Sequence, residues 1–518
     1  PAAAMAPARD PAECQGLAAE DAEAAPCVQL LAGEAGIRPE GRRARQARWA
    51  GLAAAGLLAA AFAAVTAGSL RPQLAPAPAA ANLGEDLELV LLKSTGKNPF
   101  KDVTYYVNPL NRKRYEHSMK SAKSKRVRKN LEAMSKVGSA WWIDKKSKIH
   151  GDTTETVEGI LKDAKEQDPV PLVTLIWYDM PNRDCDAKAS VGEICCTKKH
   201  GHCDYDHKSN CTEGIKEYKE EYVDPFVKVL KKYSDDVPVV IILEPDSLAN
   251  LATNTGHPHC GNPATVAAYR IGFKYALDQL VKEVPKVKVY IDAAHGAWLG
   301  WGHNIEDFLE ILRNMSLPMK KVRGFATNVA KYQPLGVRCP WEPDAGFLRN
   351  AYCLPSSHGN KQEHAKHPCC EDQCGLLDVW NSANNELNYA ALLIRASRKK
   401  FGMDYKAVVD TGRNGVQKRK DCNNFCNIRN AGTGIASTSD TEDPGMIDAY
   451  FWLKTPGESD GCTEKLPSGE NCSRYDAVCG SEDSLGNEED EPRAPEAGMW
   501  YDYQVKQLAE LARMKLDA

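Results

Sequence analysis

The stretch VPVVIILEPDSLAN, Val237 to Asn250, ends an apolar run, Val239 to Leu243, on two acids, Glu244 and Asp246, with Pro245 locked between them. A carboxylate set beside a buried strand is costly to charge and tends to keep its proton, the property required of a general acid. Other acids stand at comparable places. Asp179 and Asp184 follow PLVTLIWY (171–178), Asp292 sits late in VKVYIDAA (287–294), and Asn328 ends VRGFATN (322–328). Asp410 and Arg413 follow YKAVVD (405–410), while Lys454, Glu458 and Asp460 follow MIDAYFWL (446–453). Trp177, Trp298 and Trp301 fall near the same ends, and Trp142 precedes the first run. Aromatic faces beside carboxylates suit a sugar ring, whose C–H face stacks while its hydroxyls bond to the acids. The competing reading makes each acid a helix N-cap and each tryptophan core.

Elements of one kind would bring these residues together. The apolar runs read as buried strands, and helical stretches lie near Ile215–Tyr233, Ala264–Glu283, Ile305–Asn314, Ser382–Lys400 and Tyr501–Lys515. Repeated β–α units predict a parallel sheet with helices outside, closed or nearly closed into a barrel. In such a barrel the C-terminal strand ends share one face, so the scattered acids converge on one cleft. No internal repeat or Gly/Ser linker divides the region after Asn82, which reads as one large domain.

The chain has 518 residues and a formal net charge of −4, which gives no reason to expect a nucleic-acid partner. Residues 1–48 are Ala-rich and end in Arg42, Arg43, Arg45 and Arg48, a composition of a disordered or cytosolic tail. Residues 49–70 carry no charge and are long enough to span a bilayer. They read as a signal anchor, as a signal peptide cut after Val65-Thr66-Ala67, or as a buried Ala-rich helix. A Pro/Ala linker follows over 71–97. Sixteen of the eighteen cysteines lie from Cys185 onward, among sequons at Asn210, Asn314 and Asn471. This pattern favours export and a disulfide framework. Zinc is the rival, because CCTKKHGHCDYDHKSNC and HAKHPCCEDQC mix Cys with His, but neither matches a regular finger or ribbon.

Six ordered motifs, WYDMPNRDCDAKAS, LEPDSLANLATN, YIDAAHGAWLGW, GFATNVAKY, DTGRNG and FWLKTPGESDG, resemble glycoside hydrolase family six, the β-1,4-glucanases. NPFKDVTYYVNP and PEAGMWYDYQVKQLAE resemble that family's edges, so the likeness covers residues 98–518. It implies a distorted, incomplete, seven-stranded parallel β/α barrel and hydrolysis of cellulose-type chains with inversion, which needs one acid and a water on the opposite face. Asp246 matches the catalytic acid. Asp184 matches the second carboxylate, a modulator of the acid and a base acting through water, with Asp460 as alternative base beside Arg413 and Lys454. Tyr178 resembles the tyrosine that favours sugar distortion, and Ser190 the serine of a mobile loop that orders water. Asp292, His295, Trp298, Asn328, Arg413, Lys454 and Glu458 resemble sugar-binding positions, and Trp142 and Trp301 stacking platforms. Cys185–Cys260 and Cys426–Cys479 match the family's disulfides.

This chain also departs from that pattern. The catalytic loop is lengthened and gains Cys195, Cys196, Cys203 and Cys211; a second insertion near Arg338–Leu376 adds five cysteines; and Phe425 stands where many relatives have tryptophan. The long Lys454–Trp500 stretch favours a roofed cleft, chain-end attack and release of cellobiose. The alternatives are an endo-acting enzyme of the same family and a wall-associated binding glycoprotein without turnover. The expected protein is exported or membrane-tethered, monomeric, and needs no cofactor or metal.

Overall fold

In a computed structural model the described residues are 92–200, 202–205, 210–301, 303–340, 352–354, 366–378, 380–381, 383–416 and 422–514. The tail, the uncharged segment 49–70 and most of the 71–97 linker lie outside them. Seven strands form one sheet: β1 Trp141–Ile143, β2 Val173–Trp177, β3 Val239–Leu243, β4 Lys288–Asp292, β5 Gly324–Thr327, β6 Lys406–Asp410 and β7 Ile447–Phe451. Their spatial order is their chain order, and every neighbouring pair is parallel. Between β1 and β7 there is contact rather than a ladder: Ala140 N–H donates to the Trp452 carbonyl at 2.9 Å, beside a single bridge from Ser139. The barrel is therefore incomplete.

Strand alternation explains why the apolar runs are continuous. In β3, Val240 and Ile242 point inward with Ile176, Tyr290, Val408 and Phe451, while Val239, Ile241 and Leu243 point outward to the helices. Both faces of β3 are dry, so no position in it calls for a polar residue. Phe100 plugs the interior, its ring 5.3 Å from that of Phe451 and 6.0 Å from that of Tyr290.

The helices are α1 Pro109–Ser121, α2 Lys125–Met134, α3 Val157–Lys165, α4 Thr212–Glu217, α5 Asp224–Tyr233, α6 Ser247–Thr253, α7 Pro263–Glu283, α8 Gly296–Leu299, α9 Asn304–Asn314, α10 Glu386–Phe401 and α11 Asp502–Glu510. The helix expected over 215–233 is α4 and α5 joined by a π-helical turn, Tyr218–Val223. Side-chain caps set several starts: Ser124 accepts from Val127 N–H, Thr156 from Gly159 N–H and Asn385 from Asn388 N–H.

The strand ends carry the unusual backbone. Asp184, Glu244, Asp246, Ala294, Asn328 and Ala330 all have φ between 47° and 63°, a left-handed region that side chains other than glycine seldom enter. Buried carboxylates hold these turns by accepting backbone N–H bonds from a neighbouring strand's loop. Glu244 of the β3 end accepts from Asp179 and Met180 after β2, both at 3.3 Å. Asp292 of β4 accepts from Asp246 after β3 at 2.9 Å. Asp410 of β6 accepts from Ala330 after β5 and Lys454 after β7, each at 3.0 Å. Glu386, opening α10, accepts from Gly296 of α8 at 2.9 Å.

Glu386 makes a test of this arrangement. Burial pushes its carboxyl up to about 8, only partly offset by the Gly296 N–H and the Thr327 hydroxyl, whose hydrogen bonds favour the charged form. The native state then keeps a proton that the unfolded chain has lost, so stability present below the unfolded value of 4.5 declines as pH rises toward 8. Glu386→Gln stays neutral and keeps an oxygen to accept from Gly296 N–H. Thermal unfolding should therefore show the variant gaining on wild type by a few degrees between mildly acidic and mildly alkaline pH. A difference independent of pH would contradict the assignment.

Candidate active site

Two cavities, of about 600 Å³ and 350 Å³, meet over the C-terminal strand ends, and both are walled by Asp246, Lys331 and Phe425. Together they form one groove whose middle is Asp246. Trp142, Tyr178, Ser190, Lys454, Glu458 and Asp460 line the larger side; Asp184, His295 and Trp298 line the smaller. Asp246 occupies the N-cap position of α6, with φ 63° and ψ −16°, yet its side chain makes no capping bond. The left-handed turn set by Glu244-Pro245-Asp246 aims it into the groove instead. Of the two acids in that sequence, Glu244 is internal, bonded by the Tyr218 hydroxyl at 2.6 Å, and Asp246 is the one presented to solvent space.

Asp184 is buried, and the Tyr178 hydroxyl donates to it. Burial and the nearby Asp246 charge push its pKa upward, partly offset by hydrogen bonds from Ser190 and Tyr178. Burial, then the charge of Asp246, also raises Asp292 beneath the groove. Three carboxyls in so little water cannot all ionise cheaply, and their protons belong to the set. Lys331 enters the same cluster: its ammonium lies 3.3 Å from Asp246 Oδ2 and 5.1 Å from the Phe425 ring centre. Burial opposes its charge, but Asp246 and Asp184 outweigh this and hold its pKa above the usual lysine range.

Asp460 has a different environment. Arg413 donates to both its oxygens at 2.6 and 2.7 Å, the Tyr332 hydroxyl donates at 2.6 Å, and Asn427 N–H at 2.9 Å. Three of these four bonds fall on Oδ2, and Oδ1 is held by Arg413, so the carboxylate is committed to this ion pair. Lys454 does not complete this pair; it lies 3.8 Å from Glu458 and 5.1 Å from the Trp142 ring centre.

Other expected site residues stand behind the groove. Asn328 is fully buried and clamps its own turn, donating to the Asp410 carbonyl at 2.9 Å and accepting from Gln333 N–H at 3.1 Å. Asp292 and Arg413 support Asp246 and Asp460 from below. Trp301 is half-buried outside both cavity walls, its indole N–H on the Ala297 carbonyl at 3.0 Å. Trp142 and Tyr178 meet edge to face, with ring centres 5.1 Å apart. The sequence reading passed over Lys331 and Tyr332, both inside the quoted GFATNVAKY motif, and Arg183 in PNRDC. Arg183 lies 4.2 Å from the Tyr178 ring centre and donates to the Ser190 carbonyl at 2.9 Å. An arginine flanked by acids in a loop was the available signal.

The sixteen described cysteines form eight disulfides: 185–260, 195–203, 196–211, 339–369, 353–370, 374–422, 426–479 and 462–472. Two of the stapled loops touch next to Ser190 and Phe425, which line the groove. Lys188 N–H donates to Asp476 at 2.7 Å, and Ala189 packs on Cys426, Cys479 and Val478. Gly461 sits under this contact, where an added Cβ would lie 2.5 Å from Cys479 Sγ.

The sequence matches the family profile described as "Glycosyl hydrolases family 6" over residues 100–345 and 367–512. It is 33% identical over 430 residues to the "Probable 1,4-beta-D-glucan cellobiohydrolase C" of Aspergillus niger, covering 80% of this chain and 78% of that protein. Its fold is similar to the catalytic core domain of the cellobiohydrolase Cel6A from Chaetomium thermophilum (TM-score 0.61, 30% identity, 80% of this chain and 99% of the other). It is equally similar to cellobiohydrolase II (Cel6A) from Humicola insolens in complex with glucose and cellotetraose (TM-score 0.61, 30% identity, 80% and 99%).

Lys331 gives this site a measurable signature. Its ammonium, 3.3 Å from Asp246 Oδ2, holds that carboxyl in the middle of the groove. Lys331→Gln removes the ion pair, so kcat should fall by about tenfold with KM little changed. A raised KM with kcat unchanged would mean that Lys331 only contacts substrate.

Proposed function

The chain belongs to glycosyl hydrolase family 6, and from that premise we propose that it cleaves β-1,4-glucosidic bonds of cellulose-type chains with inversion, releasing cellobiose from chain ends. The observation that carries this reading is Asp246, at the junction of the two halves of the groove and beside a second buried carboxylate, Asp184. A glucan lying in the groove would pass Trp142 on one side and Trp298 on the other. Asp246 gives its proton to the leaving glycosidic oxygen as the bond breaks, while a water attacks the anomeric carbon from the opposite face. The proton released by that water passes through a further water to Asp184. Asp184 is the better acceptor because burial raises its basicity, whereas Asp460 is committed to Arg413, with Oδ2 also taken by Tyr332 and Asn427. Tyr178, bonded to Asp184 and packed against Trp142, crowds the sugar between them.

The Lys188–Asp476 contact supports chain-end action, because a bridged roof obliges a polymer to thread rather than drop in. The eight disulfides support an oxidising compartment and hence export. In this reading residues 49–70 direct or tether the exported chain.

Two experiments test it. NMR of cello-oligosaccharide hydrolysis should show the α-anomer first, and Asp246→Asn should lose at least about a thousandfold in kcat; β-anomer as first product would overturn inversion. Asp476→Ala should loosen the roof and raise internal cutting, read as a steeper fall in carboxymethylcellulose viscosity per reducing end formed. An unchanged ratio, or a wild type that already cuts internally, would favour the endo-acting alternative.

A further inference from the structure

Residues 109–136 contain ten lysines and arginines and two acids, Glu116 and Glu132, a local charge of +8 in a chain whose total is −4. They form α1, α2 and the turn between them. Nine of the ten basic side chains are exposed, Lys123, Lys125, Arg126 and Lys129 among them. Among the described residues, carboxylate partners exist for Arg114, with Glu458 at 3.4 Å, and for Lys136, with Glu132 at 3.1 Å. The other eight lack one.

Apart from Arg128, which donates to the Ala122 carbonyl at 2.6 Å, the exposed basic side chains of this face do little for the fold. The two helices are held from beneath, where Tyr115, Val127, Leu131 and Met134 pack with Trp452 and Val505. Crowding like charges on the outer side of that packing costs stability through repulsion, and ordinary surfaces intersperse the two signs. The face also adjoins the glucan groove. Arg114 of α1 lines the larger cavity, 5.5 Å from the Trp141 ring centre, while its neighbours Arg112 and Lys113 are exposed to solvent.

We propose that α1 and α2 are a docking surface for a polyanionic polysaccharide, one bearing carboxylates or sulfates, that holds the enzyme beside neutral glucan in a mixed matrix. The location argument rests on the glucanase reading; the charge argument does not. Guanidinium forks and ammonium groups suit such anions. An exposed aromatic platform for unpaired bases is missing from these helices, as is a large exposed apolar side chain to enter a bilayer. Disulfide pairing throughout also places the protein away from cytosolic nucleic acid.

Retention on polygalacturonate and on sulfated dextran, at low and at high salt, tests the proposal with Lys123→Glu, Lys125→Glu, Arg126→Glu and Lys129→Glu combined. Wild type should be retained at low salt and released at high salt. The variant should lose about tenfold or more of its low-salt retention while turning over cellotetraose at the wild-type rate, which also shows that it is folded. Equal retention of the two proteins, or retention of neither, overturns the proposal. Charge-dependent binding to phosphatidylserine vesicles or DNA in place of either polysaccharide overturns it in favour of that partner. Patch-dependent retention without any cellotetraose turnover would leave the docking surface standing and remove the glucanase reading.

Discussion

Carboxylates that line or underlie the cleft accept backbone N–H bonds across neighbouring strand ends, and the geometry of the face depends on those bonds. Glu244, Asp292, Asp410 and Glu386 each reach from their own element to the turn of another, where water could not supply the donors. An uncompensated buried carboxylate would be too costly to keep. A backbone turned so that its N–H meets one is stabilised in a conformation it would otherwise avoid, hence the left-handed residues at these places. The same latches fix Asp246 in the middle of the groove, with Asp292 holding its amide from below. Support and chemistry are thus made of one residue type, separated by which carboxyl oxygens still face the groove.

Much of this was legible in the residues. Six of the seven strands announce themselves as mainly apolar runs because both of their faces are buried, and the polar exception inside β7, Asp448, is paired with Arg323 and Tyr290. The Glu-Pro-Asp bend, the late Asp292 and the Asp460 cluster stand at strand ends, where a barrel gathers them. β1 escaped notice because three residues, Trp141–Ile143, are too few to show a period. α1 was missed because its exposed face is nearly all lysine and arginine, and its buried side includes Asn111 and Ser118 rather than an apolar stripe. Asn328 was a plausible sugar ligand by position, yet its amide is consumed in closing its own turn. Lys331 was invisible for a different reason: its meaning lies in a pairing with Asp246 across 85 positions of chain.

Net charge averages over unlike parts of the chain. A total of −4 averages a strongly basic pair of helices with an acidic remainder, so the sum says nothing about what either face attracts. The cysteines show the opposite relation between whole and part. Their number and position favoured disulfides before any pairing was known. The structure uses the bridges to fasten the long loops, where few strand or helix contacts hold the chain. Such links stabilise mainly by restricting the unfolded chain, by about 3 kcal/mol for a 15-residue loop.

One contact ties the late part of the chain to the groove. Gln504 of α11 donates to the Tyr332 hydroxyl at 3.2 Å and to Asn427 at 3.1 Å, the two residues that hold Asp460 opposite Arg413. A ribosome delivers every strand of the sheet before it delivers this glutamine, so the floor of the groove stays unfinished while the barrel is already emerging. Chains stalled or clipped upstream of α11 would keep the tryptophans that line the groove without the brace beneath them. Completion of synthesis is in this sense a condition of competence, written into a single buried amide.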